Sequence, residues 1–484
     1  MTRAYDVVIV GAGPAGMACA LKIERALPGT GILLLEMGRR RHRRPCPVDK
    51  GFACTGCGGV CNVISGIGGC IHRGDGAKLS KLPSGKRLKD IMGSVAAEQY
   101  CDQACQLIED ALGRPLSYSG QNFTSAGGAA YVGDGVRLAD YPVAVLEEQE
   151  VDRWQQAWVE EIARACDLRT EASAKAVRSS GGGSLLEVEF WQDSELQYVS
   201  TQSVVLATGR AGFSWTRRQL ENLKVPLTPP NFSIGARFEM SSKLLEVAGL
   251  QHPDLKAVSE PPGGCKSKTF CFCGGPNGGR IKFTNYQGSL EFPIITLDGH
   301  VTSSRPGQGR GLAGNFGVLT QVQSAAEFDL ALGNFATQYW DLSRGRPVAQ
   351  SLEDFVNGSP DCRSVPELLA SLPFEPTVRD FQGGPLHTLF STRQRDALIR
   401  GFATVMEGAG GSGAVEDYFG DILVVGPELE FLWHRPSSDK GGRVPELPLW
   451  VVGDAGGVAQ GIVQATMFGL ASADSVVAYL AGLG

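Results

Sequence analysis

Apolar positions near the amino terminus are continuous rather than alternating. Residues 5–10, YDVVIV, form a β-branched run of the kind a strand buried on both faces needs. The run enters Gly11-Ala-Gly13-Pro14-Ala15-Gly16, after which MACALKIERAL repeats apolar positions at helical spacing. GILLLE then gives a second buried strand ending at Glu36. Farther along, residues 143–167 read as an amphipathic helix and 168–208 alternate as strands around SSGGGS. The last of these, SVVLATG, carries Thr208 and Gly209 into a small-residue turn. Near the carboxyl end LPLWVVGDAGG reads as another buried strand closing on Gly453-Asp454, followed by a long helix that starts in small residues near Gly461 and Ile462. From about 236 to 440 strands, proline turns and loops mix, and there is no repeat or low-complexity linker.

The order strand, GxGxxG, helix, strand, acid is the dinucleotide fingerprint in its required context. The glycines allow a tight turn and close approach of a pyrophosphate, the helix N-terminus faces phosphate, and Glu36, 20 residues after Gly16, suits a ribose hydroxyl. The terminal Gly453-Asp454 strand decides between nucleotides. A diffusible nicotinamide does not need it, whereas FAD lies extended and needs a distant segment to hold its flavin end.

The set GAGPAG, Glu36, LATG and GDAGG resembles the flavoproteins of the glutathione reductase superfamily. Within it, CNVISGIGGCIHRGDGAKLS and VVGDAGGVAQGIVQA resemble bacterial FAD-dependent dehydrogenases related to geranylgeranyl reductases and electron-transfer flavoprotein dehydrogenases. The resemblance covers roughly the first 90 and last 40 residues well and the middle in outline. It implies that Asp454 holds the ribityl chain, that the helix starting near Gly461 aims its positive end at flavin N1 and O2, and that backbone at Gly68, Gly69 and Cys70 passes under the ring. By the same carry-over Ala174 touches adenine through its backbone.

Composition narrows the chemistry. There are 45 Lys plus Arg against 51 Asp plus Glu, a net charge of -6, which disfavours a nucleic-acid surface. The absence of a membrane-length apolar run and of a signal-like start leads us to expect a cytoplasmic protein with no transmembrane segment. The 64 glycines and 13 cysteines stand out: nine glycines fall between 51 and 76, so that segment must be an ordered loop held by something. Three readings of its thiols stay open. Cys46, Cys54, Cys57 and Cys61 could ligate a [4Fe-4S] cluster or a tetrahedral zinc. Alternatively, Gly58-Gly-Val-Cys61 resembles the start of a redox-disulfide motif, but the second cysteine would fall where Gly66 stands. The thiols could also be small packed or substrate-facing side chains. In the run Arg39 to Arg44, Arg44 is the expected phosphate holder. Cys70, His72 and Lys78 are the catalytic candidates, with His72 as an acid or base. His300, Arg305 and Arg310 form a possible anion-orienting turn.

The reading is an α/β fold: a discontinuous Rossmann-like FAD-binding domain of glutathione reductase type with an inserted α+β substrate domain. Residues 1–112 would hold its first part with the Cys/Gly loop at 45–80, and 113–235 the helix, β-meander and ATG strand. Residues 236–440 would be the substrate domain, and 441–484 the return to the FAD domain. The expected activity is FAD-dependent hydride transfer at flavin N5 on a small organic substrate. Alternatives are a flavin monooxygenase or oxidase, weakened because GDAGG replaces the GDAAH-proline pattern, and an electron-relay flavoprotein with a redox partner protein. No second GxGxxG follows a strand in mid-chain, which argues against a dedicated nicotinamide domain and leaves NAD(P)H open as an electron donor.

Overall fold

The computed structural model describes residues 3–482 except 51, 121–134, 140, 181–184, 275–277, 287–293, 302–310, 323–327, 361–362 and 433. The fold is mixed α/β and contains two large sheets. In the first, strands Asp167–Thr170, Ile32–Glu36, Arg3–Val10 and the second half of Glu195–Leu206 run parallel, with Leu449–Val451 parallel beyond. Their unbroken apolar runs follow from cover on both faces: Val7, Ile9, Leu34 and Val205 enter one core, while Val8, Val10, Leu35 and Val204 enter another. The first half of Glu195–Leu206 pairs instead with Leu185–Gln192, which pairs with Ser173–Ser180, an antiparallel meander on the same sheet.

The expected helix over 143–167 splits. Val143–Leu146 is a strand paired with Ala77–Ser80, and the helix is Glu148–Ala165, opened by a reciprocal Glu147/Glu150 capping box. Long-range pairing with the Cys/Gly segment outweighs local helical spacing there. The terminal helix Ile462–Ala481 is, contrary to expectation, long and apolar enough to cross a membrane, yet it packs on the helix Pro14–Ala26. Gly469 makes that packing close, since a β-carbon there would lie 2.2 Å from Ala15 O.

The second sheet is mainly antiparallel, ordered Gln382–Gly383, Val348–Ser351, Leu423–Leu432, Asn231–Ser241, Ala313–Gln321, Ser267–Cys273, Ala257–Ser259, Val136–Leu138. One face carries Phe238 and Phe316 against Phe402 of the helix Thr392–Gly408, an aromatic core with rings stacked or tilted at centroid distances of 4.9–6.1 Å. Arg237, Asn315 and Glu428 are buried on the same sheet. A separate hairpin, Gly279–Asn285 with Ile295–Val301, carries Asp298 toward the first sheet's loops, where Arg210 meets it.

Candidate functional site

A cavity of about 330 Å³ opens where the strands Arg3–Val10, Ile32–Glu36 and Glu195–Leu206 end. That volume suits an organic ligand rather than a trapped water. Two helices begin on it. Pro14–Ala26 starts at Gly13 and Ile462–Ala481 at Gly461; neither has a side-chain cap or an acid in its first turn. Their first N–H groups are therefore left to a ligand or solvent, and their dipoles make the space electropositive.

The glycines of the first turn have different tasks. A β-carbon at Gly11, where φ is 107°, would lie 2.3 Å from Ala207 O, and one at Gly16 would lie 1.9 Å from Gly11 O; both hold strand, turn and helix together. Gly13 differs, since its nearest atom would be Gly69 Cα at 3.9 Å. The space over Gly13 is empty within the chain and open to the cavity. Glu36 is buried, and its carboxylate accepts from Ala12 N at 2.8 Å, Gly38 N at 2.8 Å and Gly66 N at 2.9 Å, fastening the glycine-rich loop to the first turn. A carboxylate offers about four lone-pair sites, so one acceptor site remains.

Asp454 closes the cavity from the terminal strand. Its Oδ1 is buried with no partner, while Oδ2 lies 3.7 Å from Arg210 Nε. Burial pushes its carboxyl up to about 6, Arg210 opposing. Arg210 reaches the same wall and donates through Nη1 to Asp298 Oδ2 at 3.0 Å. Beside them burial keeps the Cys70 thiol protonated, up to about 11.

The cavity wall thus gathers Gly11, Gly13, Pro14, Ala15, Glu36, Gly68, Gly69, Cys70, Ala174, Thr208, Gly209, Gly453, Asp454, Gly461 and Ile462. Gly16 lies behind it as a packing residue. Arg210, Trp215, Arg218 and Gly66 also line it and were not anticipated. Arg210 directly follows the ATG turn, a signal that could have been used.

Four expectations are corrected. Arg44 holds no cavity position: fully buried, it gives its donors to the carbonyls of Asn62, Val63, Ile67, Gly69 and, at 3.4 Å, Ile71. It is the internal frame of the glycine loop, and burial lowers its guanidinium to about 10. Lys78 pairs with Asp254 Oδ1 at 2.6 Å, away from the cavity. His72 is also outside the cavity wall. Its Nε2 lies 2.7 Å from Arg44 O, its Nδ1 touches Lys282, and burial, then Lys282 and Arg44, push it down to about 2. Around it Asp75 bonds Arg280, lies 3.3 Å from Lys282 and lies 3.0 Å from His300, an ion network joining loop to hairpin. The fourth correction concerns the thiols. Cys54 packs with Val48 and Ile281, Cys61 with Val63, Ile64 and Tyr286, and Cys46 against both groups. Among the described residues no group of three or more His, Cys, Asp or Glu side chains is placed to hold a metal ion. The short turn Pro47–Lys50 lies between Cys46 and Cys54, and the turn Gly56–Gly59 contains Cys57. Arg305 and Arg310 lie outside the described residues.

His72 sets a pH dependence. Below pH 6.5 the unfolded chain takes up a proton that the folded chain refuses, so stability rises with pH and is lost as pH falls. With a folded value near 2, the loss reaches about 2 kcal/mol at pH 5. Urea unfolding at pH 7 and pH 5 should show this share of the acid loss missing from His72→Gln; equal losses in both proteins would show that His72 titrates freely.

No family model matches the sequence, and no curated protein matches it. Among solved structures, the chain is similar to a flavoprotein/dehydrogenase from Cytophaga hutchinsonii, at 11% identity over 99% of this chain and 79% of that one, TM-score 0.40. It is similar to CmlS, a flavin-dependent halogenase, at 13% identity over 99% of this chain and 58% of that one, TM-score 0.40. A third is a geranylgeranyl bacteriochlorophyll reductase-like protein from Thermoplasma acidophilum, at 12% identity over 99% and 80%, TM-score 0.39. The chain spans less than two thirds of the halogenase. At these identities and TM-scores the likeness assigns neither family nor activity.

Proposed function

We propose that the chain is an FAD-dependent oxidoreductase acting on a small organic substrate. What carries the reading is one convergence: two uncapped helix starts, the open face of Gly13 and the orphaned Oδ1 of Asp454 all meet in one cavity with Glu36. This donor and acceptor set fits an extended dinucleotide. Glu36 would take a ribose hydroxyl with its remaining acceptor site, and backbone at Ala174 would meet the adenine. The turn at Gly11–Gly16 would bind the pyrophosphate, with Thr208 and Gly209 beside it. Asp454 Oδ1 would accept from a ribityl hydroxyl. The helix start at Gly461 and Ile462 would face the flavin edge where negative charge grows on reduction, with Gly68 and Gly69 against the ring.

When bound, FAD supplies hydride transfer at N5; the chain's own residues bind, orient and hold charge. Cys70 would face the substrate as a neutral thiol, a weak hydrogen-bond donor rather than a nucleophile. A dehydrogenase or reductase reaction is the form proposed, in a discontinuous dinucleotide domain of glutathione reductase type.

The test is cofactor content. The purified protein, or the protein incubated with FAD and desalted, should carry one FAD per chain that acid or heat releases intact. A colourless protein that leaves FAD in the desalting column removes the assignment.

A further inference from the structure

Cys271 and Cys273 lie outside the cavity wall, on the strand Ser267–Cys273. Register against Ala313–Gln321 slips between them and Phe270: Phe270 faces Gly317 and Cys273 faces Asn315, so three steps on one strand oppose two on the other. The extra residue is absorbed at Cys271, whose φ of 48° is the left-handed conformation of a bulge. In a flat strand residues two apart are spaced by roughly 7 Å. Here Cys273 Sγ folds back to 3.3 Å from the carbonyl oxygen of Cys271, the residue two before it.

The surroundings form a built site. Lys78 Nζ donates to the carbonyl of Phe272, the residue between the cysteines, at 2.6 Å. Arg237 Nη1 donates to Cys271 O at 3.2 Å. Two cations are therefore anchored on the two peptide groups that join the sulfurs, with Asp254 and Glu428 as their counter-ions. Cys271 Sγ donates to Gly299 O at 3.0 Å, and Cys273 Sγ to Cys271 O at 3.3 Å.

We propose that Cys271 and Cys273 are a redox-active dithiol that closes to a disulfide under a peroxide oxidant. The Cys273 thiolate attacks one oxygen of hydrogen peroxide, the O–O bond breaks, and hydroxide leaves as water with a proton from the medium. Cys271 sulfur then displaces the hydroxyl of the resulting sulfenic acid as a second water. Two thiols lose two electrons and two protons, and one peroxide becomes two waters. A hydrogen bond from the Cys271 thiol to the Cys273 thiolate, made in place of the one to Gly299 O, holds Cys273 down to about 7 against burial, with Lys78 and Arg237 assisting, whereas burial lifts Cys166 up to about 12. Closure also removes the thiol hydrogen from Gly299 O, next to the Asp298 carboxylate that steadies Arg210 in the cavity wall. The site stands independently of the cofactor reading.

Trypsin releases both sulfurs on one peptide, residues 269–280, with no third cysteine. The folded protein is treated with hydrogen peroxide at pH 7, quenched with iodoacetamide and digested. The expected peptide is two hydrogens lighter and unlabelled, dithiothreitol restores both labels, and Cys166 stays labelled. Half of a thiol titrating near 7 is thiolate at pH 7, against about 1% of an ordinary one. After its lower nucleophilicity is allowed for, closure should be about fivefold faster than in the synthetic peptide 269–280. Cys273→Ser should leave Cys271 labelled. Two labels on the treated native protein, oxidation to sulfinic acids instead, or a rate equal to that of the free peptide each overturn the proposal.

Discussion

Gly13→Ala should leave the protein folded and cost it FAD. The backbone at Gly13 is extended, with φ -77° and ψ -178°, so alanine meets no strain, and its β-carbon would come no closer than 3.9 Å to another atom. The empty chain should lose no more than about 1 kcal/mol, the cost of a poorer residue at a helix start. The added methyl would stand in the space assigned to the pyrophosphate. Overpacking of about 1–3 kcal/mol there corresponds to a Kd raised by roughly fivefold to 150-fold. Gly16→Ala is the contrasting variant: its methyl would sit 1.9 Å from Gly11 O, so this change should disrupt folding itself. Thermal unfolding without FAD and FAD titration separate the two. A Gly13→Ala protein that binds FAD like the wild type would show that the open face of Gly13 is not where the ligand lies.

Much of this cavity was legible because its parts are local. The parallel strands had to be apolar on both faces, the turn between them needed glycine, and the acid at Glu36 follows at fixed spacing. What could not be read was where the chain goes between those parts. His72 and Lys78 stand two and eight residues beyond Cys70, yet the chain turns at Gly74, with φ 83°, and enters the strand Ala77–Ser80. This carries Lys78 to Asp254 and leaves His72 in the ion network of the hairpin. Asp298 reaches Arg210 from a hairpin 88 residues away, and nothing local marks it. The cysteine spacing suggests ligation, but Cys54 and Cys61 pack in different apolar groups and no metal-holding group forms among the described residues.

The arginine run makes the same point with an energetic consequence. Five arginines between 39 and 44 look alike in sequence, but Arg40 and Arg43 are exposed while Arg41 and Arg44 are buried. Arg41 donates to the carbonyls of Ile71, His72 and Asp75, and Arg44 to four further carbonyls of the glycine loop at 2.6–3.0 Å. A loop with so many glycines cannot satisfy its carbonyls in a helix or sheet, so a planar group with five donors does it from inside. Arg44→Ala would leave those carbonyls buried and unbonded, at about 1–3 kcal/mol for each group that water cannot reach. We expect a loss above about 4 kcal/mol, at the extreme of single substitutions. Because Gly66 and Gly69 form both the loop and the cavity wall, FAD binding should fail with it. Arg44→Lys should rescue little, since one ammonium cannot reach carbonyls spread from Asn62 to Gly69. Arg43→Ala should stay within about 0.5 kcal/mol of the wild type. Guanidinium unfolding of the three proteins decides: if Arg44→Ala unfolds at the wild-type midpoint, the loop is held by something other than this side chain.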